Sequence, residues 1–194
     1  MEKQKIVLAS GNLHKIKEIQ QMLPDYEIIG YKQLGVDFEI EENGATFYEN
    51  ALIKAKTVCE RFNIPALADD SGICVDELNG EPGIYSARYA GDGVDEHNNE
   101  LLLKNMKGKT NRKAKFVCQL VYYKPDGKII SALGETHGEI MDKCYGENGF
   151  GYDPLFFSYD LNKCLGIASA DEKNTISHRF RALEELKKQL ETDK

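Results

Sequence analysis

Apolar residues along this chain follow two rhythms, and the changes between them predict its elements. From Asn12 to Leu23, Leu13, Ile16, Ile19 and Leu23 recur at three- and four-residue steps, with Lys15, Lys17, Glu18 and Gln20 between them. That is the spacing of an amphipathic helix, and Pro24 stops it. The apolar run Ile6-Val7-Leu8-Ala9 before it and the segment Tyr26 to Gly30 after it read as short strands. Thr46, with Glu49 three residues on, has the pattern of a capping box opening a second helix, whose apolar side carries Phe47, Ala51, Ala55, Val58 and Phe62.

Two strands are expected at about 66–69 and 73–76, then a loop, Asn79-Gly80-Glu81-Pro82-Gly83, and a helix from about Asp95 to Met106. Lys115 to Tyr123, rich in Val, Phe and Tyr, turns through Pro125-Asp126-Gly127 into a strand from Lys128 to Ile140; this hairpin is assigned to a second lobe. Gly146 to Asp153 reads as loop and Leu155-Phe156-Phe157 as a short strand. A terminal helix is expected from Thr175 to Leu190, with Ile176, Phe180, Leu183, Leu186 and Leu190 at helical spacing. Helices alternating with strands, plus one long hairpin, predict an α/β chain with a mixed sheet.

Composition narrows the function classes. The chain has 194 residues, 41% of them hydrophobic and 29% charged, which suits one domain over residues 1–194 with a cleft in it. A net charge of −7 argues against a broad basic surface, so nucleic acid is not an expected partner. The five cysteines, Cys59, Cys74, Cys118, Cys144 and Cys164, are odd in number, far apart and without zinc-ligand spacing; they read as buried or inert thiols in a reducing compartment. The segment Met1-Glu2-Lys3-Gln4-Lys5 leads into too short an apolar run for a signal peptide, and no stretch approaches a membrane span, so a cytoplasmic location is expected.

Four segments carry candidate chemistry. Ser10-Gly11-Asn12-Leu13-His14-Lys15 joins a strand to a helix, where backbone N–H groups and the positive end of the helix dipole favour phosphate. Asp69-Asp70-Ser71-Gly72 is read as an acidic turn at a strand end. In extended backbone its two carboxylates point to opposite faces, so Asp70 is the candidate for chemistry, with a hydrated turn as the plainer alternative. Glu41 and Glu42, in an acidic loop from Glu39 to Gly44, offer oxygen ligands for magnesium or are simply solvated; Lys54, on the following helix, has solubility or snorkelling as its plain role. Phe150-Gly151-Tyr152-Asp153, after Gly149 and before Pro154, suits stacking of a base with a carboxylate at its edge, or aromatic anchors in a core. Lys173, Ser177, His178 and Arg179 gather donors and positive charge at the entry to the last helix.

With these segments in view, the chain resembles the inosine triphosphate pyrophosphatase family. The resemblance is carried by Ser10-Gly11-Asn12-Leu13-His14-Lys15, Thr46-Phe47-Tyr48-Glu49-Asn50-Ala51, Ala68-Asp69-Asp70-Ser71-Gly72, Pro82-Gly83-Ile84-Tyr85-Ser86-Ala87-Arg88-Tyr89, Gly149-Phe150-Gly151-Tyr152-Asp153-Pro154 and Ser177-His178-Arg179, in family order from end to end. Ser10 stands where many members have threonine, which keeps the hydroxyl. The resemblance implies an elongated mixed sheet flanked by helices, in two lobes around an active-site cleft, and a homodimer. It implies hydrolysis of ITP, dITP or XTP to the monophosphate and pyrophosphate with Mg2+. By position, Ser10, Gly11, Asn12, Leu13, His14 and Lys15 would hold the triphosphate, with Lys54 also binding substrate. Asp70 would bind magnesium and act as base, with Glu41 or Glu42 as a further ligand. Ser71 would contact substrate, Phe150, Gly151, Tyr152 and Asp153 would form much of the base pocket, and Lys173, His178 and Arg179 would complete nucleotide binding. The competing readings are an enzyme for modified pyrimidine or standard triphosphates, a module that binds ITP without cleaving it, and an aspartic protease. The last needs a second Asp-Ser-Gly that the chain lacks.

Overall fold

A computed structural model describes residues 3–35 and 38–192; Met1, Glu2, Val36, Asp37, Asp193 and Lys194 lie outside it. In chain order the elements are β1 (Gln4–Leu8), α1 (Leu13–Met22), β2 (Tyr26–Gly30), α2 (Phe47–Phe62), β3 (Ala66–Val75), α3 (Asp95–Asn105), β4 (Lys113–Tyr123), β5 (Ile129–Ile140), β6 (Phe156–Ser158), β7 (Lys163–Cys164), α4 (Ala170–Ile176) and α5 (His178–Thr192), with short 3-10 turns between some of them. The strands form one mixed sheet in the order β2-β1-β3-β4-β5-β6-β7. β1 runs parallel to β2, from Gln4 opposite Tyr26 to Leu8 opposite Gly30, and parallel to β3, with Val7 opposite Ala66. β5, β6 and β7 pair antiparallel, Gly138 lying opposite Ser158 and Phe157 opposite Cys164. This is the expected α/β class. Among the described residues no helix is long and apolar enough to cross a membrane.

The chain divides into two compact units, one of residues 1–70, 119–133 and 182–194 and the other of residues 71–118 and 134–181. The first is built on Val7, Ala9, Tyr31, Ala51, Ala55, Val58, Ala66 and Ala68, where the small faces of α2 and of the parallel strands allow close packing. The second is built on Ile73, Val75, Leu102, Phe116, Ile140, Tyr152, Phe156 and Leu165. The hairpin expected from Lys115 to Ile140, formed by β4 and β5, therefore does not belong to a single lobe: its tip, within 119–133, falls in the first unit and the outer parts of both strands fall in the second.

Helix starts follow local chemistry. Asn12 caps α1 through its side-chain oxygen, which accepts from the N–H groups of His14 and Lys15. Thr46 caps α2 by accepting from Glu49 N, and Glu49 returns a carboxylate oxygen to Ala45 N at 2.6 Å, one residue further back than a capping box requires.

Two expectations are corrected. The strands at 66–69 and 73–76 are one ten-residue strand, β3, passing through Asp69-Asp70-Ser71-Gly72 without a turn. The carboxylates can stay in the strand because each meets a lysine. Gly72 serves close approach: a Cβ there would overlap the Gly83 carbonyl oxygen and the Ser86 hydroxyl. That hydroxyl donates to Gly83 O at 2.6 Å and accepts from Ile73 N at 2.9 Å. The single terminal helix is two, α4 and α5, because Ser177 between them is extended (φ −64°, ψ 152°). α4 starts instead at a full capping box between Ser169 and Glu172, and the Ser177 hydroxyl accepts from Phe180 N at 3.1 Å, capping α5. All five cysteines are free; Cys59, Cys118 and Cys164 are buried as expected, whereas Cys144 is exposed.

Tyr122 in β4 is 2% exposed, and burial, with smaller effects from Tyr26 and Cys59, pushes its phenol up to about 12. An unfolded tyrosine titrates near 10, so the folded value is the higher one. Its contribution to stability is complete below pH ~10 and is lost as pH rises toward ~12. Urea unfolding at pH 11 is expected to show Tyr122→Phe gaining about 1 kcal/mol on the parent, relative to the same comparison at pH 8.

Candidate functional site

The first unit brings together the N-terminal turn, the acidic loop, α2 and the Asp69-Asp70 pair. In the turn, Ser10 Oγ accepts from Asn12 N at 3.1 Å and Asn12 Oδ1 accepts from His14 N at 2.9 Å and Lys15 N at 3.3 Å. Gly11, Asn12 and His14 are exposed, and Leu13 is 72% exposed despite its apolar side chain. A Cβ on Gly11 would sit 3.1 Å from Lys32 Cε, so glycine there admits the stem of Lys32, a cation that nothing in the sequence pattern singled out.

Alternation along β3 sends its neighbouring acids to different lysines. Asp69, 1% exposed, accepts from Lys15 Nζ at 2.6 Å. Asp70 Oδ1 accepts from Lys54 Nζ at 2.8 Å, and the same ammonium reaches Glu42 Oε2 at 2.9 Å and the Asp69 carbonyl oxygen at 3.0 Å. Lys54 is thus buried with all three donors used, not a surface lysine. Burial works to lower its ammonium, but Asp70 and Glu42 outweigh that and hold it above its usual value. Burial raises the Asp70 carboxyl, with Lys54 opposing; at the more open Glu42, Lys54 overcomes burial and holds the carboxyl below the usual range. Asp70 Oδ2 is buried and has no hydrogen-bond partner among the described residues. Glu41 is exposed and joins no ion pair among them.

The second unit gathers the other predicted residues. Arg179, 1% exposed, donates from Nη2 to Ser71 Oγ at 3.2 Å. His178 stacks on Phe116 with ring centroids 4.9 Å apart and planes 13° from parallel. In the 149–153 loop, Asp153 Oδ2 accepts from Phe150 N at 2.9 Å and from Lys173 Nζ at 2.7 Å, and that ammonium lies 4.5 Å from the centre of the Phe150 ring. Gly149 has φ +79°, and a Cβ there would run into the Asp153 carboxylate. Tyr152 and Asp153 are buried; Tyr152 donates its hydroxyl to Ser86 O at 2.8 Å, and burial pushes its phenol far up. Of the four residues expected to form the base pocket, Phe150 and Gly151 keep partial exposure. α3 supplies two contacts the sequence did not point to: Asp95 Oδ2 accepts from Gly151 N at 2.7 Å, and Asn99 Nδ2 donates to Gly151 O at 3.0 Å. Both lie outside every stretch that carried the resemblance, and only their four-residue spacing on one helix face hinted at a joint role.

The sequence pattern of the Ham1 family matches residues 6–189. The chain belongs to the Ham1 family. Ham1 relatives include a protein of Staphylococcus aureus strain MW2 named dITP/XTP pyrophosphatase, 47% identical over 190 residues that make up 97% of each chain. A Campylobacter jejuni protein of the same name is 48% identical over 188 residues, 93% of this chain and 94% of its own. The solved structure of the Staphylococcus aureus Ham1 protein superposes with a TM-score of 0.90 at 46% identity, covering 98% of this chain and 100% of that one. Ham1 membership agrees with the resemblance carried by the six stretches, and the mixed sheet flanked by helices is the one that solved structure has.

Removing one member of a buried ion pair leaves its partners charged and unsolvated. Lys54→Met is therefore expected to lower the free energy of unfolding by about 3–5 kcal/mol in urea titrations, and adding Asp70→Asn to it is expected to recover part of that loss.

Proposed function

We propose that the chain hydrolyses noncanonical purine nucleoside triphosphates, ITP, dITP and XTP, to the monophosphate and pyrophosphate, and so removes them from the nucleotide pool. The observation that carries this reading is the buried Asp70: one carboxylate oxygen is held by Lys54 and the other, Oδ2, has no partner among the described residues. It occurs in a chain 47% identical to a protein named dITP/XTP pyrophosphatase.

An orphaned carboxylate oxygen beside a second carboxylate suits Mg2+, which prefers hard oxygen ligands and keeps waters and substrate phosphates for its remaining positions. In this reading Asp70 and Glu42 hold the ion; Glu42 is preferred to Glu41 because it shares the Lys54 ammonium with Asp70. When bound, the ion neutralises charge on the triphosphate and polarises its phosphoryl oxygens. Lys15 and the α1 N-terminus, entered through Ser10 and Gly11, bind the phosphates, and Lys54 holds Asp70 in position and adds positive charge. Asp70 takes the proton of a water that attacks the α-phosphorus. The bond from that phosphorus to the α,β-bridging oxygen breaks, and pyrophosphate leaves with the electron pair.

Phe150 stacks on the base, with the Lys173 ammonium over the ring, while Ser71, His178 and Arg179 complete nucleotide binding. Donors matched to a 6-keto oxygen discriminate against adenine, whose amino group would leave them unpaired at about 1–3 kcal/mol each. The homodimer implied by the resemblance and the cytoplasmic location expected from the sequence remain part of this reading.

The test is pyrophosphate release from ITP, XTP, GTP and ATP, with and without Mg2+. ITP and XTP are expected to be turned over only with the metal, and Asp70→Asn is expected to lose roughly 10²- to 10⁴-fold in kcat. Activity that survives Asp70→Asn moves the base elsewhere, and no release from any substrate rejects the reading in favour of a nucleotide-binding module.

A further inference from the structure

We propose that Asp95 and Asn99 are positioning residues for the base-binding loop, gripping both backbone polar atoms of Gly151 and so setting how tightly the purine is held. The inference rests on the reading that the 149–153 loop receives the base. Gly149 and Gly151 have φ of +79° and +60°, so two left-handed residues flank Phe150. Glycine adopts that conformation at no steric cost, but it is also the residue that wanders most readily, and a stacking ring between two glycines has no backbone stiffness of its own.

The loop's hydrogen bonds supply the stiffness. Gly151 N belongs to the peptide that joins it to Phe150, and Asp95 Oδ2 accepts from it at 2.7 Å. Gly151 O belongs to the next peptide, toward Tyr152, and Asn99 Nδ2 donates to it at 3.0 Å. With Phe150 N bonded to Asp153, the peptides on both sides of Phe150 have a fixed partner. The four-residue spacing puts Asp95 and Asn99 on one face of α3, one turn apart. Asp95 lies in the first turn, where the helix dipole favours a carboxylate.

The helix is itself anchored. Asn98 accepts from Ala90 N at 2.7 Å and donates to Ala87 O at 3.3 Å, and Leu102, with no exposed surface, lies in the core. Asn99 is buried, and its Oδ1 has no hydrogen-bond partner among the described residues. A buried amide with one end unsatisfied is costlier than an apolar side chain of similar size, so the bond to Gly151 is what this residue contributes.

The test uses the full chain and steady-state pyrophosphate release from ITP, with inorganic tripolyphosphate, which has no base, as an inhibitor. Asp95→Ala and Asn99→Leu are each expected to raise KM for ITP roughly three- to tenfold, with kcat and tripolyphosphate inhibition within about twofold of the parent. Asp95→Asn keeps an acceptor oxygen and is expected to restore the parent KM. An unchanged KM in both variants, with the parent active, overturns the positioning role alone. A parallel fall in kcat and tripolyphosphate affinity, or an Asp95→Asn variant as impaired as Asp95→Ala, overturns it in favour of a general structural defect. A parent that releases no pyrophosphate from ITP overturns the functional reading and this inference with it.

Discussion

The Lys54 ammonium is the interaction on which the rest of the acidic site depends. Asp70 and Glu42 cannot both be ionised at close quarters in a buried place without a cation between them, and Lys54 meets both, at 2.8 and 2.9 Å, with the Asp69 carbonyl taking its third hydrogen. α2 is what brings it there. The helix starts at a Thr46 cap, packs Ala51, Ala55 and Val58 against the core, and delivers Lys54 from the buried side at the end of a flexible stem. The small residues around it let the helix come close enough for that stem to reach. A lysine that looks solvent-bound from its neighbours is thus the electrostatic centre of its unit.

The paired acids of β3 divide two tasks by alternation alone. Asp69 is committed to Lys15, at the start of α1, and Asp70 to Lys54, on α2. Each pair ties a helix to the same strand through a side chain. A similar economy holds in the second unit, where Asp153 serves both Phe150 N and Lys173, and Lys173 in turn covers the Phe150 ring.

Much of this was legible in the sequence. The period of Leu13, Ile16 and Ile19 marked α1, Thr46 marked the start of α2, and Asp95 to Met106 marked α3 almost to the residue. The misses have physical causes. Asp-Asp-Ser-Gly has turn composition, yet lysines distant in sequence neutralise its acids and Ser86 needs the space a glycine leaves, so tertiary context overrides local preference. The break at Ser177 is hidden because Ile176 and Phe180 keep helical spacing across it. Among the candidate site residues, the charged and aromatic ones were singled out by type. Lys32, whose stem passes beside Gly11, and Asp95 and Asn99 were not; the last two act on another segment's backbone, a contact that residue type alone does not announce.

The uninterrupted course of β3 has a consequence for how this chain can vary in length. A turn at Asp-Asp-Ser-Gly would absorb an extra or a missing residue by adjusting its bend, but a ten-residue paired strand has no slack. One residue inserted or deleted before Asp69 exchanges the faces of everything after it, so each acid would face the other's lysine and Gly72 would no longer lie under Ser86. Changes in length must therefore fall in the loops that flank this strand, and its ten positions behave as one indivisible ruler.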